Sequence, residues 1–286
     1  MARERVRVGS LSHQVEKTLG DRLRIGESKH AAKAVGAASN GIYSWETYRS
    51  YMKHCNYFAA YCKENYGCKT LSECREFAND WLQHQIDRNL SPYTLKLEVS
   101  ALSKLYGVQS SDFIATPSRQ RAKITRSREN VKRDKNFSTA KNERFVSFCR
   151  STGLRRSELR ALTGDKLELH NGSYYIRVDS GAKGGRERLA PVVGDVQNVV
   201  DLMKKAGNGK VFTSAFSNAD IHSYRADYAS EVYQLYARDT KTIPRAEIYH
   251  CRGELKGVKY DKLAMLKTSA ALGHNRISVV AGHYLR

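Results

Sequence analysis

No stretch of this sequence approaches the roughly 18 uninterrupted apolar residues that a membrane span requires. The charged opening MARERVRVGS likewise has no apolar run behind it that would make it a secretory leader. A soluble, unsecreted protein with no membrane partner is expected. Close C-x-x-C pairs are also missing. The six cysteines, Cys55, Cys62, Cys68, Cys74, Cys149 and Cys251, lack zinc-site spacing, and a chain of 286 residues has no need of disulfide staples, so reduced structural thiols are expected. Acidic residues are in short supply: 29 Asp and Glu stand against 49 Lys and Arg, a formal net charge of +20. That balance favours a polyanionic partner, nucleic acid first, yet it also fits an RNA-binding or membrane-surface protein and carries no chemistry by itself. No paired-carboxylate or His-rich metal motif accompanies the basic residues, which argues against a metal-dependent nuclease. Neither a metal nor an organic cofactor is expected.

With 41% hydrophobic residues the chain can bury a core in each of two domains. Residues 1–40 are basic and only weakly periodic and read as an extension. Residues 41–115 read as a helical domain of three helices. In the first, Trp45, Tyr48, Tyr51, Met52, Cys55, Phe58, Ala59 and Cys62 recur at three- and four-residue steps before Gly67. The second opens on the capping-box pattern Thr70 to Glu73 and fades at Asn89. The third has Ser91 as N-cap, Pro92 at its first position and Gly107 at its end. Residues 116–136 are a basic linker without hydrophobic periodicity. From residue 137 to 286 the pattern is mixed: helices from Ser138 to Gly153 and from Ser157 to Leu162, then a hairpin from Tyr174–Val178 to Arg186–Val193 through a glycine-rich turn holding Lys183. Further helices follow near residues 195–205, 222–236 and 261–272. The fold class expected is α+β, mainly helical, with a small antiparallel sheet in the second domain.

The unusual residues lie in this second half, in Thr152-Gly153-Leu154-Arg155-Arg156-Ser157-Glu158, His222-Ser223-Tyr224-Arg225 and Leu272-Gly273-His274, followed by Tyr284. His222 and Arg225, three apart on a helix, project from one face. Arg155 follows a helix-stopping glycine, and two guanidinium groups suit the two non-bridging oxygens of a phosphodiester. Fixed cations of that kind stabilise the charge that develops on phosphorus during attack, without a divalent metal. A tyrosine hydroxyl beside them gains ionised character, with a histidine to take its proton. Lys183 at a hairpin tip is a suitable donor to the leaving 5′-hydroxyl.

The run TGLRRSELRAL, the hairpin AKGGRERLAPV, the HSYR and LGH boxes and the late tyrosine, in that order over residues 137–286, resemble the tyrosine recombinases, or phage-type integrases. The resemblance implies a helical core-binding domain ahead of a catalytic domain, the two closing on DNA. It implies that Arg155 and Arg225 bind phosphate, that Lys183 is the hairpin lysine, that His222 and His274 assist, and that Tyr284 is the nucleophile. Glu158 matches a supporting carboxylate. The implied activity is site-specific recombination of double-stranded DNA through a 3′-phosphotyrosyl intermediate, by a homotetramer holding two duplexes, in the cytoplasm and on the nucleoid. Three departures stand out. His274 and Tyr284 are ten positions apart, one more than usual; the 48 residues between Arg225 and His274 imply an insertion near 237–260; and the sequence ends two residues after Tyr284, where relatives commonly carry a tail that packs on a neighbouring protomer. A non-catalytic sequence-specific DNA-binding protein explains the charge but not the constellation. A DNA-relaxing enzyme of the type IB topoisomerase kind would share the chemistry.

Overall fold

The computed structural model describes residues 9–36, 41–120, 137–181, 187–214 and 218–285. Two compact units divide the chain, Met1–Ile124 and Thr125–Arg286.

The first unit is all helical: α1 (Leu11–Gly20), α2 (Lys29–Ala34), α3 (Trp45–Tyr66), α4 (Leu71–Cys74), α5 (Ala78–Asp87) and α6 (Pro92–Tyr106). Side-chain caps set the starts. Ser44 accepts from the Thr47 amide at α3, and Thr70 and Glu73 form a reciprocal capping box at α4. Ser91 precedes Pro92 at α6. Gly67 and Gly107, both at φ +69°, end α3 and α6 in the left-handed conformation that glycine adopts without strain. One core joins Phe58, Leu82 and Leu102 to Leu11, Val15 and Leu19 of α1. Thus α1 is an integral helix of the bundle, although residues 1–40 read as an extension. Three buried positions on one ten-residue helix make too short a stripe to stand out against the basic residues around them. The second expected helix is broken by a 3-10 turn at Arg75–Phe77. The basic stretch expected as a linker falls largely on residues 121–136, outside the described residues.

The second unit comprises α7 (Glu143–Thr152), α8 (Arg156–Ala161), β1 (Leu167–His170), β2 (Ser173–Val178), β3 (Arg188–Pro191), α9 (Val196–Ala206), α10 (Ile221–Tyr236), β4 (Ile248–His250), β5 (Lys259–Asp261), α11 (Lys262–Ala271) and α12 (Ile277–His283). Strands β1, β2 and β3 form an antiparallel sheet in that order, with Ile176 facing Leu167 on one side and Ala190 on the other. Strand β1 escaped the sequence reading, although Asn171-Gly172, at φ +50° and +76°, is the two-residue turn that most strongly marks a hairpin. Helix α10 is buried on both sides: Tyr224 packs with Phe148, Leu154, Leu159 and Ile176, while Tyr228 and Val232 pack with Met265, Leu272 and Val280. The segment expected as an insertion holds the β4–β5 hairpin. Arg238 ties it down through Asp261 at 2.7 and 2.9 Å and Glu247 at 2.6 Å. Among the described residues no helix is long and apolar enough to cross a membrane.

Candidate active site

Helix α7 stops at Gly153, at φ +59°, where an added Cβ would lie 2.1 Å from the Tyr228 ring. The chain then passes through buried Leu154 to Arg155, whose extended backbone starts α8. Glu158, one turn on and 2% exposed, accepts the Arg155 amide and the Arg155 Nη1, each at 2.7 Å. Arg188 reaches the same carboxylate from β3 with both terminal nitrogens, at 2.9 and 2.8 Å. Burial alone would push the Glu158 carboxyl up, but the hydrogen bonds and charge of Arg188, with those of Arg155, outweigh it and hold it at about 2.

Arg225 sits in the second turn of α10, after Asp220 has capped the helix by accepting from the Ser223 amide. It is 1% exposed. Its Nη1 donates to the Gly153 carbonyl, its Nη2 to the Leu272 carbonyl, and its Nε to the Tyr284 hydroxyl at 3.3 Å. Burial, with the charges of Arg155 and Arg188, lowers it to about 10, so it remains a cation at neutral pH.

The C-terminal end of α11 gathers these groups. A helix leaves its last carbonyls unpaired and carries partial negative charge at that end. Here Ala271 accepts from Arg188 Nε at 2.8 Å, and Leu272 accepts from both Arg155, at 3.1 Å, and Arg225. Gly273, at φ +65°, turns the chain, and His274 follows directly. His274 Nε2 lies 3.2 Å from the Tyr284 hydroxyl. Burial lowers the imidazole to about 4, helped by the charges of Arg225, Arg155 and Arg188, so it is neutral at pH 7. Since the Arg225 Nε can only donate, the phenol oxygen accepts there, and its own hydrogen is left to point at His274 in the tautomer protonated on Nδ1. Tyr284, 6% exposed, is held at the end of α12 by its amide's bond to the Val280 carbonyl at 2.9 Å.

Arg155, Arg225, His274 and Tyr284 line a cleft of about 860 Å³. Of the residues singled out in the sequence, Arg155, Arg225, His274 and Tyr284 are bonded directly to one another or through Leu272. His222, exposed near the start of α10, lines the same cleft. Lys183 lies outside the described residues. Sequence reasoning missed Arg188, whose signal was present: along β3 it shares the inward face with buried Ala190, and a charge on the inward face of a strand implies a buried partner. Two guanidinium groups, Arg155 and Arg188, therefore hold one carboxylate, a third, Arg225, shares the Leu272 carbonyl with Arg155, and a phenol stands on the wall of the cleft. A guanidinium has more N–H groups than these contacts use, and the excess of positive charge suits a phosphate with a tyrosine oxygen at its edge.

No protein-family model and no curated protein matches this chain. Among solved structures, it is similar to the XerH site-specific recombinase bound to difH substrate in a pre-cleavage complex, at 13% identity and TM-score 0.52, over 96% of this chain and 92% of that one. It is similar to the post-cleavage XerH complex with palindromic difH at 14% identity and TM-score 0.50, over 96% and 90%. The Tn1549 transposon integrase in complex with circular intermediate DNA also matches, at 12% identity and TM-score 0.49, over 97% and 96%. At these identities the likeness is one of fold.

Proposed function

We propose that this chain, which has the fold of the tyrosine recombinases, is a site-specific DNA recombinase that cuts and rejoins strands through a covalent bond to Tyr284. The observation that carries this reading is the Tyr284 hydroxyl, held 3.3 Å from Arg225 Nε and 3.2 Å from His274 Nε2 in one cleft of one chain. A backbone phosphate bound by the remaining N–H groups of Arg155 and Arg225 brings phosphorus to the phenol oxygen. A bond forms between that oxygen and phosphorus, and the bond from phosphorus to the 5′ oxygen breaks. The strand is left as a 3′-phosphotyrosine with a free 5′-hydroxyl. Attack by the 5′-hydroxyl of a partner duplex reverses the step and reseals the backbone, with no energy source beyond the conserved ester bond.

A phenol ionises near pH 10 in water, and an imidazole lowered to about 4 is a weak base for it. The guanidinium groups therefore do most to stabilise the phenolate, and His274 orients its hydrogen. Bound phosphate offsets the positive charge that depresses His274 and strengthens it as a base when it is needed. His222, on the cleft wall, is a further ligand to the phosphate beside Arg155 and Arg225, and Lys183 is assigned as the proton donor to the departing 5′ oxygen. The partner is double-stranded DNA with specific sites, as difH is the substrate in the XerH complexes, and four protomers act on two duplexes.

The test is a nicked duplex whose cleaved fragment diffuses away and traps the covalent complex. Wild-type protein should form an adduct, and Tyr284→Phe should bind DNA and form none. DNA binding without an adduct in the wild type would indicate a regulator. Relaxation of any supercoiled plasmid by monomers would indicate a topoisomerase, and cleavage by Tyr284→Phe would remove the nucleophile assignment.

A further inference from the structure

One carboxylate behind the cleft is shared by two arginines of unlike standing. Glu158 Oε1 accepts from Arg155 Nη1 at 2.7 Å and from Arg188 Nη1 at 2.9 Å, while its Oε2 accepts from the Arg155 amide at 2.7 Å and from Arg188 Nη2 at 2.8 Å. A carboxylate offers about four lone-pair positions, so these four N–H groups fill it. Arg188 takes both oxygens in the forked arrangement that guanidinium and carboxylate favour, whereas the Arg155 side chain takes only one. The stronger geometry therefore belongs to the arginine that does not face the cleft. The Arg188 side chain is 7% exposed and stands outside the cleft lining; Arg155, at 20%, is part of it.

Arg188 is itself fixed. Its Nε donates to the Ala271 carbonyl at 2.8 Å. Its aliphatic stem runs beside Gly273, where an added Cβ would stand 3.0 Å from Cδ and 3.2 Å from Nη1. Arg155 is held less firmly: beyond Glu158, its Nη2 donates to the Leu272 carbonyl at 3.1 Å, a neutral acceptor that competes poorly with a charged one. Were the Glu158 oxygens vacated by Arg188, Arg155 would close on them as a fork and turn its terminal nitrogens away from a phosphate.

From this division of one carboxylate we infer that Arg188 is a positioning residue for the cleavage step: by filling Glu158 it limits the Arg155 side chain to one contact there and leaves the rest of that guanidinium facing the cleft, for the scissile phosphate. What the phosphate belongs to rests on the recombinase reading; the orientation of Arg155 does not. Arg188 touches neither phosphate nor phenol in this role and acts through Glu158 on Arg155.

The experiment is single-turnover cleavage of the nicked duplex by the full chain at saturating DNA, which separates the chemical step from binding. Arg188→Met should slow it by about 10²-fold, the scale expected when a catalytic group is displaced, with duplex affinity little changed. Glu158→Gln added to Arg188→Met should recover about 10-fold of that loss, since a side-chain amide still accepts from the Arg155 amide but no longer draws the guanidinium by charge. A role in packing predicts the opposite. A double variant no faster than Arg188→Met, or a wild-type rate in Arg188→Met, overturns the inference. Should Arg188→Met not fold, Arg188→Lys carries the same comparison: it keeps the charge but cannot fork onto both oxygens, so it too should be slow and be rescued by Glu158→Gln, and a wild-type rate in it overturns the inference. The rise in melting temperature with inorganic phosphate reads the clamp without any cleavage. Arg155→Ala sets the level without the clamp; Arg188→Met should approach that level and regain protection with Glu158→Gln, and protection equal to wild type in Arg188→Met overturns the inference. Absence of an adduct in wild type would count against the recombinase reading alone and leave the phosphate measurement to judge Arg188.

Discussion

Replacing Arg188 with methionine removes a charge, two hydrogen bonds to Glu158 and one to the Ala271 carbonyl while keeping a chain of similar length on the inward face of β3. The Glu158 carboxyl is moved from 4.5 to about 2 by its surroundings, with Arg188 contributing ahead of Arg155. Each tenfold change in proton affinity is about 1.4 kcal/mol, so the ionised carboxylate is favoured by roughly 3 kcal/mol, of which Arg188 supplies the larger part. Arg155 remains beside Glu158 in the variant, and a loss of about 2 kcal/mol is expected, somewhat below the range for a fully orphaned buried charge. With a urea dependence of about 2 kcal/mol per molar, the midpoint of the second unit should fall by about 1 M at pH 7. The pH dependence carries the sign. A carboxyl depressed in the folded state contributes stability that is fully present above its unfolded value near 4.5 and is lost as pH falls toward 2. The gap between wild type and Arg188→Met should therefore be constant from pH 7 to about 5 and close between 4.5 and 2. Urea titrations followed by circular dichroism at several pH values measure it. An unchanged midpoint at pH 7, or a gap that persists at pH 2 to 3, would show that packing rather than the ion pair is at stake.

Arg155→Ala should lower the cleavage rate by about 10²- to 10³-fold, as expected for a preorganised donor to developing charge, with duplex binding largely retained; normal turnover in a single-turnover assay would count against the phosphate clamp. His274 lowered to about 4 predicts that the second-order cleavage rate, which reports the free protein, stays level down to about pH 5 and falls near pH 4. Its stability contribution has the same direction, present above about 6.5 and lost as pH drops toward 4, and His274→Gln should remove both effects. Leu19→Ala, at a fully buried position of α1, should cost roughly 2 to 5 kcal/mol in the unfolding of the first unit, which a calorimetric scan would register.

Legibility in the sequence followed the range of the physical signal. Helices α3 and α6 announce themselves locally, because a Ser cap, a repeating apolar stripe and a terminal glycine all fall within one short window, whereas α7 keeps its terminal Gly153 but starts at Glu143, after a 3-10 turn at Ala140–Asn142, and not at the expected Ser138 cap. Helix α1 has a cap at Ser10 but buries only Leu11, Val15 and Leu19, and its place in the core depends on residues of α3 far along the chain. The site divides in the same way. Arg155, Arg225 and His274 stand out as unusual residues in short motifs, whereas Arg188 becomes meaningful only when β3 is laid against α8 and α11. The Glu158 carboxylate it holds comes from 30 residues earlier, and the Ala271 carbonyl from 83 residues later. No local periodicity encodes such a pairing.

The end of α11 explains how so much positive charge is held together in one site. Three neighbouring guanidinium groups, of which only Arg155 and Arg188 bind the one carboxylate, would repel one another, and burial of Arg225 makes that repulsion stronger. Two backbone carbonyls at the negative end of a helix, Ala271 and Leu272, take up N–H groups from all three arginines. Because these acceptors are dipoles and not charges, they orient the guanidinium groups without neutralising them, and the cluster keeps an excess of two positive charges. In the proposed reaction a phosphodiester carries one negative charge, and attack by an ionised Tyr284 would add a second. Under the proposed reaction the match is to the state in which both charges sit on the oxygens around phosphorus rather than to bound DNA alone, which is the condition for accelerating the step rather than merely binding substrate.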